Sequence, residues 1–406
     1  MGGYKPLTER EAVDYAIKKL AIFPGDAKLK SKEIGDGNLN LVFQIVDEAS
    51  GKSVIFKQAL PHLRVVGESW PLTIDRSRIE AEAMTLQKMI CPDMVPEIYY
   101  NDRDLALSMI EDLSYLKIMR FELIKMKRFP RFPKQMGEFL AKTLFYTSDL
   151  AMDPLEKKKL VMKFMNPELC KITEDLVFTD PYFNAKSNNI NPELMDYIKE
   201  FWGKTDLILE VAKLKEIFMM KAQSLLHGDL HTGSVFIGPD EMKVFDSEFS
   251  FYGPAGFDIG AVIGNLILNY ASFEGRNDVH FKKVADYRNY LLSTIENIFQ
   301  EFNKQFSELW EKDTRDEYKR IKGYKEYYMS SLLEESLAFG GCKTIRRVIG
   351  LAHVADLDQI SDLKERAKAQ KLALKLGENM IMNRKGIARI EDFTDMVRNM
   401  TDHEAV

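Results

Sequence analysis

Between residues 29 and 60 the apolar positions fall in short alternating runs broken by turn-forming residues, the period-2 pattern of strands. The spacing predicts strands over 31–34, 41–45 and 53–57, joined by the turn Gly35-Asp36-Gly37-Asn38 and by Ala49-Ser50-Gly51-Lys52. A loop bearing Gly67, Trp70 and Pro71 then leads to Asp75, a residue suited to cap a helix, after which Ile79, Ala83, Leu86 and Ile90 recur at helical spacing. Two more strands are expected near 98–99 and 105–110. Past Leu113 the period becomes that of amphipathic helices, near 134–150, 192–222, 281–303, 316–339 and 358–378, interrupted by a β-like island at 225–249. The order predicts an α+β protein in two parts: a small β-rich N-terminal lobe, residues 1–112, and a larger, mainly helical C-terminal lobe, residues 113–406. A cleft at their junction is the expected ligand site.

Composition narrows the function classes. The chain has 406 residues, 45% hydrophobic and 29% charged, which is the balance of a folded globular protein. With 62 acidic against 57 basic side chains the formal charge is −5, so no overall basic field exists for nucleic acid or an anionic membrane. The most apolar stretch, 259–268, is interrupted by Asn265 and falls short of the roughly 18 residues of a spanning helix. The first residues, MGGYKPLTEREAVDY, lack a signal-peptide core, and Pro6 stands where myristoylation wants Ser or Thr. Cys91, Cys170 and Cys342 are odd in number and widely spaced, which suits a reducing, cytoplasmic compartment and neither a disulfide framework nor a zinc site.

The sharpest chemistry is in Leu225-Leu226-His227-Gly228-Asp229-Leu230-His231-Thr232-Gly233-Ser234, followed by Val244-Phe245-Asp246-Ser247-Glu248. Asp229 at a tight turn can take a proton from a hydroxyl that attacks phosphorus, while Asp246 and Glu248 offer the hard oxygen ligands that Mg²⁺ takes. In the first turn, Asn40 stands where a third glycine would complete G-x-G-x-x-G, and an amide there can donate to a phosphate. Lys57 shares its strand face with Ile55, opposite Val54 and Phe56, so it can face a cleft. A carboxylate of the following helix should pair with it. Glu80 and Glu82 differ by about 200° around that helix, both flank its apolar stripe, and Glu80 is preferred.

HGDLH with the acidic pair resembles the catalytic and metal loops of the aminoglycoside phosphotransferase and choline kinase group of the protein-kinase-like fold. That resemblance implies a bilobal kinase in which Asp229 is the base, Asp246 the main metal ligand, and Glu111, Asp112 and Leu113 the hinge beside adenine. Two departures are present: Ser234 replaces the usual Asn five residues after the base, and Asp-Ser-Glu replaces Asp-Phe-Gly. Together with GDGNLN, the SWPLTIDR loop and IRRVIGLAHVAD, these motifs resemble the 5-methylthioribose kinase family over roughly 32–356. The resemblance implies ATP and Mg²⁺ as cofactors, phosphorylation of the anomeric hydroxyl of 5-methylthioribose in methionine salvage, and a homodimer. It assigns nucleotide contacts to Asn40, Lys57, Glu111 to Leu113, Asp246, Ser247 and Glu248, substrate contact to Arg346, and phosphate charge to Arg347. The Trp70 loop would act as a lid. Competing readings are a kinase for another small alcohol (an aminoglycoside, choline or homoserine) and a nucleotide-binding pseudokinase.

Overall fold

A computed structural model describes residues 4–24, 27–34, 40–63 and 67–402. The turn at 35–39, where the glycine motif was placed, lies outside the described residues. The chain forms two compact units: residues up to Lys117 together with Lys243–Ser250, and Ile118–Met242 together with the chain from Phe251 onward.

In the first unit five antiparallel strands, β1 (Leu29–Glu33), β2 (Asn40–Asp47), β3 (Ser53–Ala59), β4 (Ile98–Asp102) and β5 (Leu107–Glu111), stand in the order β1-β2-β3-β5-β4. The alternation expected along β3 is realised. Val54 and Phe56 are fully buried with Phe43, Ile45, Leu107 and Met109, and that face packs against Ala12 and Ala16 of helix α1 (Glu9–Lys19). Helix α1 was not anticipated, although Thr8 and Glu11 form a reciprocal capping box at its start, a signature visible in the sequence. Helix α2 (Arg76–Ile90) buries Ile79, Ala83 and Met84. Asp75 precedes it as expected but caps nothing, because its carboxylate binds Arg78 at 2.6–2.7 Å instead. The segment expected as an open loop carries a short hairpin, His62–Leu63 against Gly67–Pro71.

The second unit is helical as expected. Helix α3 (Phe132–Tyr146) packs on α5 (Phe281–Asp313), and α6 (Tyr324–Ile349) lies against both α4 (Gly256–Ser272) and α7 (Leu363–Met382). The α4–α6–α7 packing is set by glycines. A Cβ on Gly260 would stand 2.4 Å from the Ser336 carbonyl, one on Gly264 2.6 Å from that of Gly340, and one on Gly341 2.5 Å from that of Gly377. Backbones this close make α4 a fully buried helix, and they place the last two turns of α6 over the start of the β-like island. The run expected at 192–222 is broken, with Met195–Trp202 and Thr205–Met220 separated at Gly203. No helix among the described residues is long and apolar enough to cross a membrane.

Candidate active site

The candidate groups fall in both units. In the first, Lys57 donates to Glu80 Oε1 at 2.7 Å and also bonds Asp246. Glu82, the other candidate partner, binds Arg78 and Arg103. Asp246 has φ of 69°, a left-handed conformation that few residues other than Gly, Asn and Asp adopt and that is common at functional turns. The segment carrying it joins this unit through Val244 N–H on the Met94 carbonyl at 2.8 Å and Lys243 beside Glu111 at 3.4 Å. Glu248 is buried and accepts from Arg76 Nε and Asn40 Nδ2, each at 3.2 Å. Asn40 therefore directs its amide to Glu248 in this structure, and its oxygen accepts from Arg76 at 3.3 Å.

Carboxylate oxygens of Glu80, Asp246 and Glu248 lie within 4.8 Å of one another. Lys57 bridges Glu80 and Asp246, and Arg76 and Asn40 engage Glu248, so a divalent cation would share Asp246, the most exposed of the three carboxylates, and Glu248 with these partners; Ser247 Oγ, between them in sequence, is buried and without a hydrogen-bond partner among the described residues. The donor set fits Mg²⁺. Burial alone would lower the Lys57 ammonium, but Asp246, Glu80 and Glu248 outweigh it and push it upward. Burial raises Glu80 to about 7, assisted by Asp246 and Glu248 and opposed by Lys57. At the expected hinge, Asp112 accepts from Gln44 at 2.7 Å and from Ser114 N–H at 2.9 Å. Leu113 is buried and its carbonyl accepts from Leu116 N–H.

In the second unit the His227-Gly228-Asp229 turn is built around a glycine at φ 85°. Asp258, in the first turn of α4, accepts from His227 N–H at 2.6 Å and Gly228 N–H at 3.1 Å and so holds the turn from below. Ser234 works inside the loop: its hydroxyl accepts from His231 N–H and lies 2.9 Å from the Asp229 carbonyl. Arg120 braces the far side, with its N–H on the Thr232 carbonyl at 3.0 Å and its guanidinium on Asn265.

Asp229 Oδ1 receives Lys343 Nζ at 2.8 Å and Arg346 Nη2 at 3.4 Å, and Arg347 Nη2 stands 3.9 Å from Oδ2. Lys343, Arg346 and Arg347 share one face of α6 because i, i+3 and i+4 are neighbours on a helix. Arg347 is further held by the Ala352 and His353 carbonyls at 3.3 Å. Burial would raise Asp229, yet these cations hold it well below the usual carboxylate range. Burial keeps His231 neutral in spite of Asp229, so the facing charge comes from the lysine and the two arginines. Burial also disfavours the charge on Arg346, whose Nε has no partner among the described residues, and on Arg347, where Arg346 adds repulsion.

Sequence reasoning overlooked Lys343, Arg76, Asp258 and Arg120. The K-x-x-R-R spacing was the available signal for Lys343; the other three are brought in by long-range contacts.

No protein-family model matches the chain. It is 45% identical over 393 residues to the methylthioribose kinase of Geobacillus sp. (strain WCH70), covering 97% of this chain and 96% of that one. It is 47% identical over 390 residues to the methylthioribose kinase of Geobacillus thermodenitrificans, covering 96% of each, and 43% over 398 residues to that of Pectobacterium atrosepticum, covering 98% and 99%. Among solved structures it is similar to a Plasmodium vivax ethanolamine kinase (TM-score 0.47, 13% identity, covering 91% and 89%). A spectinomycin phosphotransferase in complex with ADP and spectinomycin gives a TM-score of 0.42 at 12% identity, covering 82% and 99%.

Proposed function

The chain belongs to the methylthioribose kinase family, and from that premise we propose that it transfers the γ-phosphoryl group of ATP to the O1 hydroxyl of 5-methylthioribose, as a kinase of methionine salvage. The observation that carries the reading is the Asp229 carboxylate, kept ionised in a buried turn beneath Lys343, Arg346 and Arg347.

The step follows from these groups. Asp229 orients the O1 hydroxyl and takes its proton as the new O1–P bond forms. The bond from γ-phosphorus to the β–γ bridging oxygen breaks, and its electron pair leaves on ADP. Arg346 and Arg347, buried and mutually repelling, are stabilised by an added anion, so they balance charge on the transferring group and contact the sugar. Lys57, positioned by Glu80, neutralises non-transferring phosphate oxygens. Asp246 and Glu248 would hold Mg²⁺, which supplies charge neutralisation at the phosphates. Asn40, Ser247 and the hinge residues Glu111, Asp112 and Leu113 are assigned to the nucleotide by the family resemblance, and the N-terminal 1–112 and C-terminal 113–406 division is the corresponding division of labour.

We further propose a cytoplasmic homodimer. Cys91, Cys170 and Cys342 form no disulfide among the described residues, and burial pushes the thiols of Cys170 and Cys342 up to about 12, so neither of these two is a reactive thiolate. Light scattering of the purified chain tests the dimer. The decisive assay is ATP- and Mg²⁺-dependent ADP release with methylthioribose beside choline, homoserine and an aminoglycoside. Saturable turnover with methylthioribose alone is expected; turnover only with another alcohol would sink the substrate assignment and leave a kinase standing.

A further inference from the structure

We propose that Lys343 is a positioning residue for the phosphoryl transfer: its ammonium clamps Oδ1 of Asp229, leaving Oδ2 to take the substrate hydroxyl and Arg346 and Arg347 to serve the phosphoryl group. The inference rests on the functional reading above.

Three cations approach Asp229, but they do so unequally. Lys343 Nζ, at 2.8 Å, is at the length of a charge-assisted hydrogen bond, whereas Arg346 at 3.4 Å and Arg347 at 3.9 Å stand off. A planar guanidinium fork matches a phosphoryl group, while an ammonium is a point charge that suits a single carboxylate oxygen. When an anion draws the arginines, Lys343 is the cation that remains on Asp229. His231 Nε2 lies 3.5 Å from Oδ2 but is kept neutral by burial, so it cannot substitute. A buried carboxylate without a cation gains a proton, and a protonated Asp229 cannot accept one from O1.

Lys343 is itself fixed. Its side chain is 4% exposed, and Nζ lies 4.4 Å from the centroid of the Phe257 ring on α4. The next residue, Asp258, holds the His227-Gly228 turn, so the lysine and the carboxylate it clamps are referenced to the same turn of one helix. The charged and titratable groups facing this pair are Arg346 and Arg347 from α6, His231 and His227 from the loop (His227 Nδ1 accepts from Asp229 N–H at 3.3 Å), Arg120 from the Met119–Ile124 helix and Asp258 from α4. Burial lowers Lys343 to about 8 and Asp229 opposes that shift, so the lysine is mostly charged at neutral pH.

The test compares wild type, Lys343→Met and Lys343→Arg with methylthioribose and ATP, measuring kcat, KM and the pH profile of kcat. For Lys343→Met we expect kcat to fall about 100-fold, the magnitude typical of losing one preorganised electrostatic contact, with KM for the sugar changed less than about threefold. The acid limb of its kcat profile should move upward, because Asp229 then protonates more easily, and Lys343→Arg should recover at least about a tenth of the wild-type kcat. If Lys343→Met keeps kcat, raises only KM, or loses kcat with the acid limb unmoved, the assignment is overturned. Should the Met variant fail to fold by circular dichroism, Lys343→Gln replaces it: a charge requirement predicts loss in Gln and retention in Arg, and equal behaviour of the two refutes it. Absence of turnover in the wild type overturns instead the functional reading beneath the proposal.

Discussion

Asp229 combines two properties that rarely coexist, partial burial and a strongly favoured negative charge, and the compensation is local. Burial alone would neutralise it; Lys343 at 2.8 Å and the arginines beyond reverse the direction. The same logic with opposite sign holds Lys57 charged between Glu80 and Asp246. A carboxylate held this far below the usual range stays ionised through mild acid; in the proposed role of base its strength would be low and its value would be orientation, which suits a loose phosphoryl-transfer transition state. Asp229→Asn keeps the shape and removes both the charge and the proton acceptor. We expect kcat to fall by roughly 10²–10⁴ in the ADP-release assay while ADP affinity, measured by calorimetry, stays within a few-fold. An Asn variant with near wild-type kcat would remove Asp229 from the chemistry.

At the scale of elements, the placement of the three cations depends on how closely α6 approaches α4. Gly260, Gly264 and Gly340 allow the backbones to meet, and the face of α6 bearing Lys343, Arg346 and Arg347 is carried to the Asp229 turn by that contact. Gly260→Ala puts a methyl carbon 2.4 Å from the Ser336 carbonyl, so the helices must separate. We expect a loss of about 1–3 kcal/mol in denaturant unfolding, together with reduced kcat, since the α4-borne Asp258 and Phe257 move with the same helix; unchanged stability would mean the pair relaxes without cost. This level also marks what could be read beforehand. Lys57 opposite Val54 and Phe56 was legible, because a strand has period 2 and one face was apolar. The HGD turn and Asp-Ser-Glu were legible because their spacing is specific. Lys343 was not, because K-x-x-R-R is an ordinary helix surface until α6 is packed. Arg76 and Asp258 act on Glu248 and on residues 227–228, partners 172 and about 30 positions away, and one-dimensional periodicity carries no information over such separations. The capping box at Thr8 was readable and was passed over.

Over the whole molecule, the chain enters the first compact unit twice, and its return at 243–250 brings Asp246 and Glu248 to the strand holding Lys57 and the helix holding Glu80. Three carboxylates there, Glu80 and Glu248 buried and Asp246 partly exposed, face Lys57 and Arg76, an excess of one negative charge. Part of that excess is relieved by a proton on Glu80, which burial raises to about 7 from an ordinary 4.5. For a carboxyl group raised on folding, the unfolded chain gives up its proton first. Stability of the ligand-free protein should therefore fall as pH rises from about 4.5 to about 7, through this group. A divalent cation held by Asp246 and Glu248 relieves the same excess and competes with the proton. Binding it below about pH 7 must expel that proton, and above this range it need not. The rise in Tm produced by millimolar Mg²⁺ should accordingly be larger at pH 8 than at pH 6, because apparent affinity sets the stabilisation. Glu80→Gln, permanently neutral at this position, should make the two shifts equal while leaving a shift present. Equal shifts already in the wild type would show that Glu80 does not exchange its proton for the cation, and no shift at either pH would remove the cation from this cluster in the absence of nucleotide.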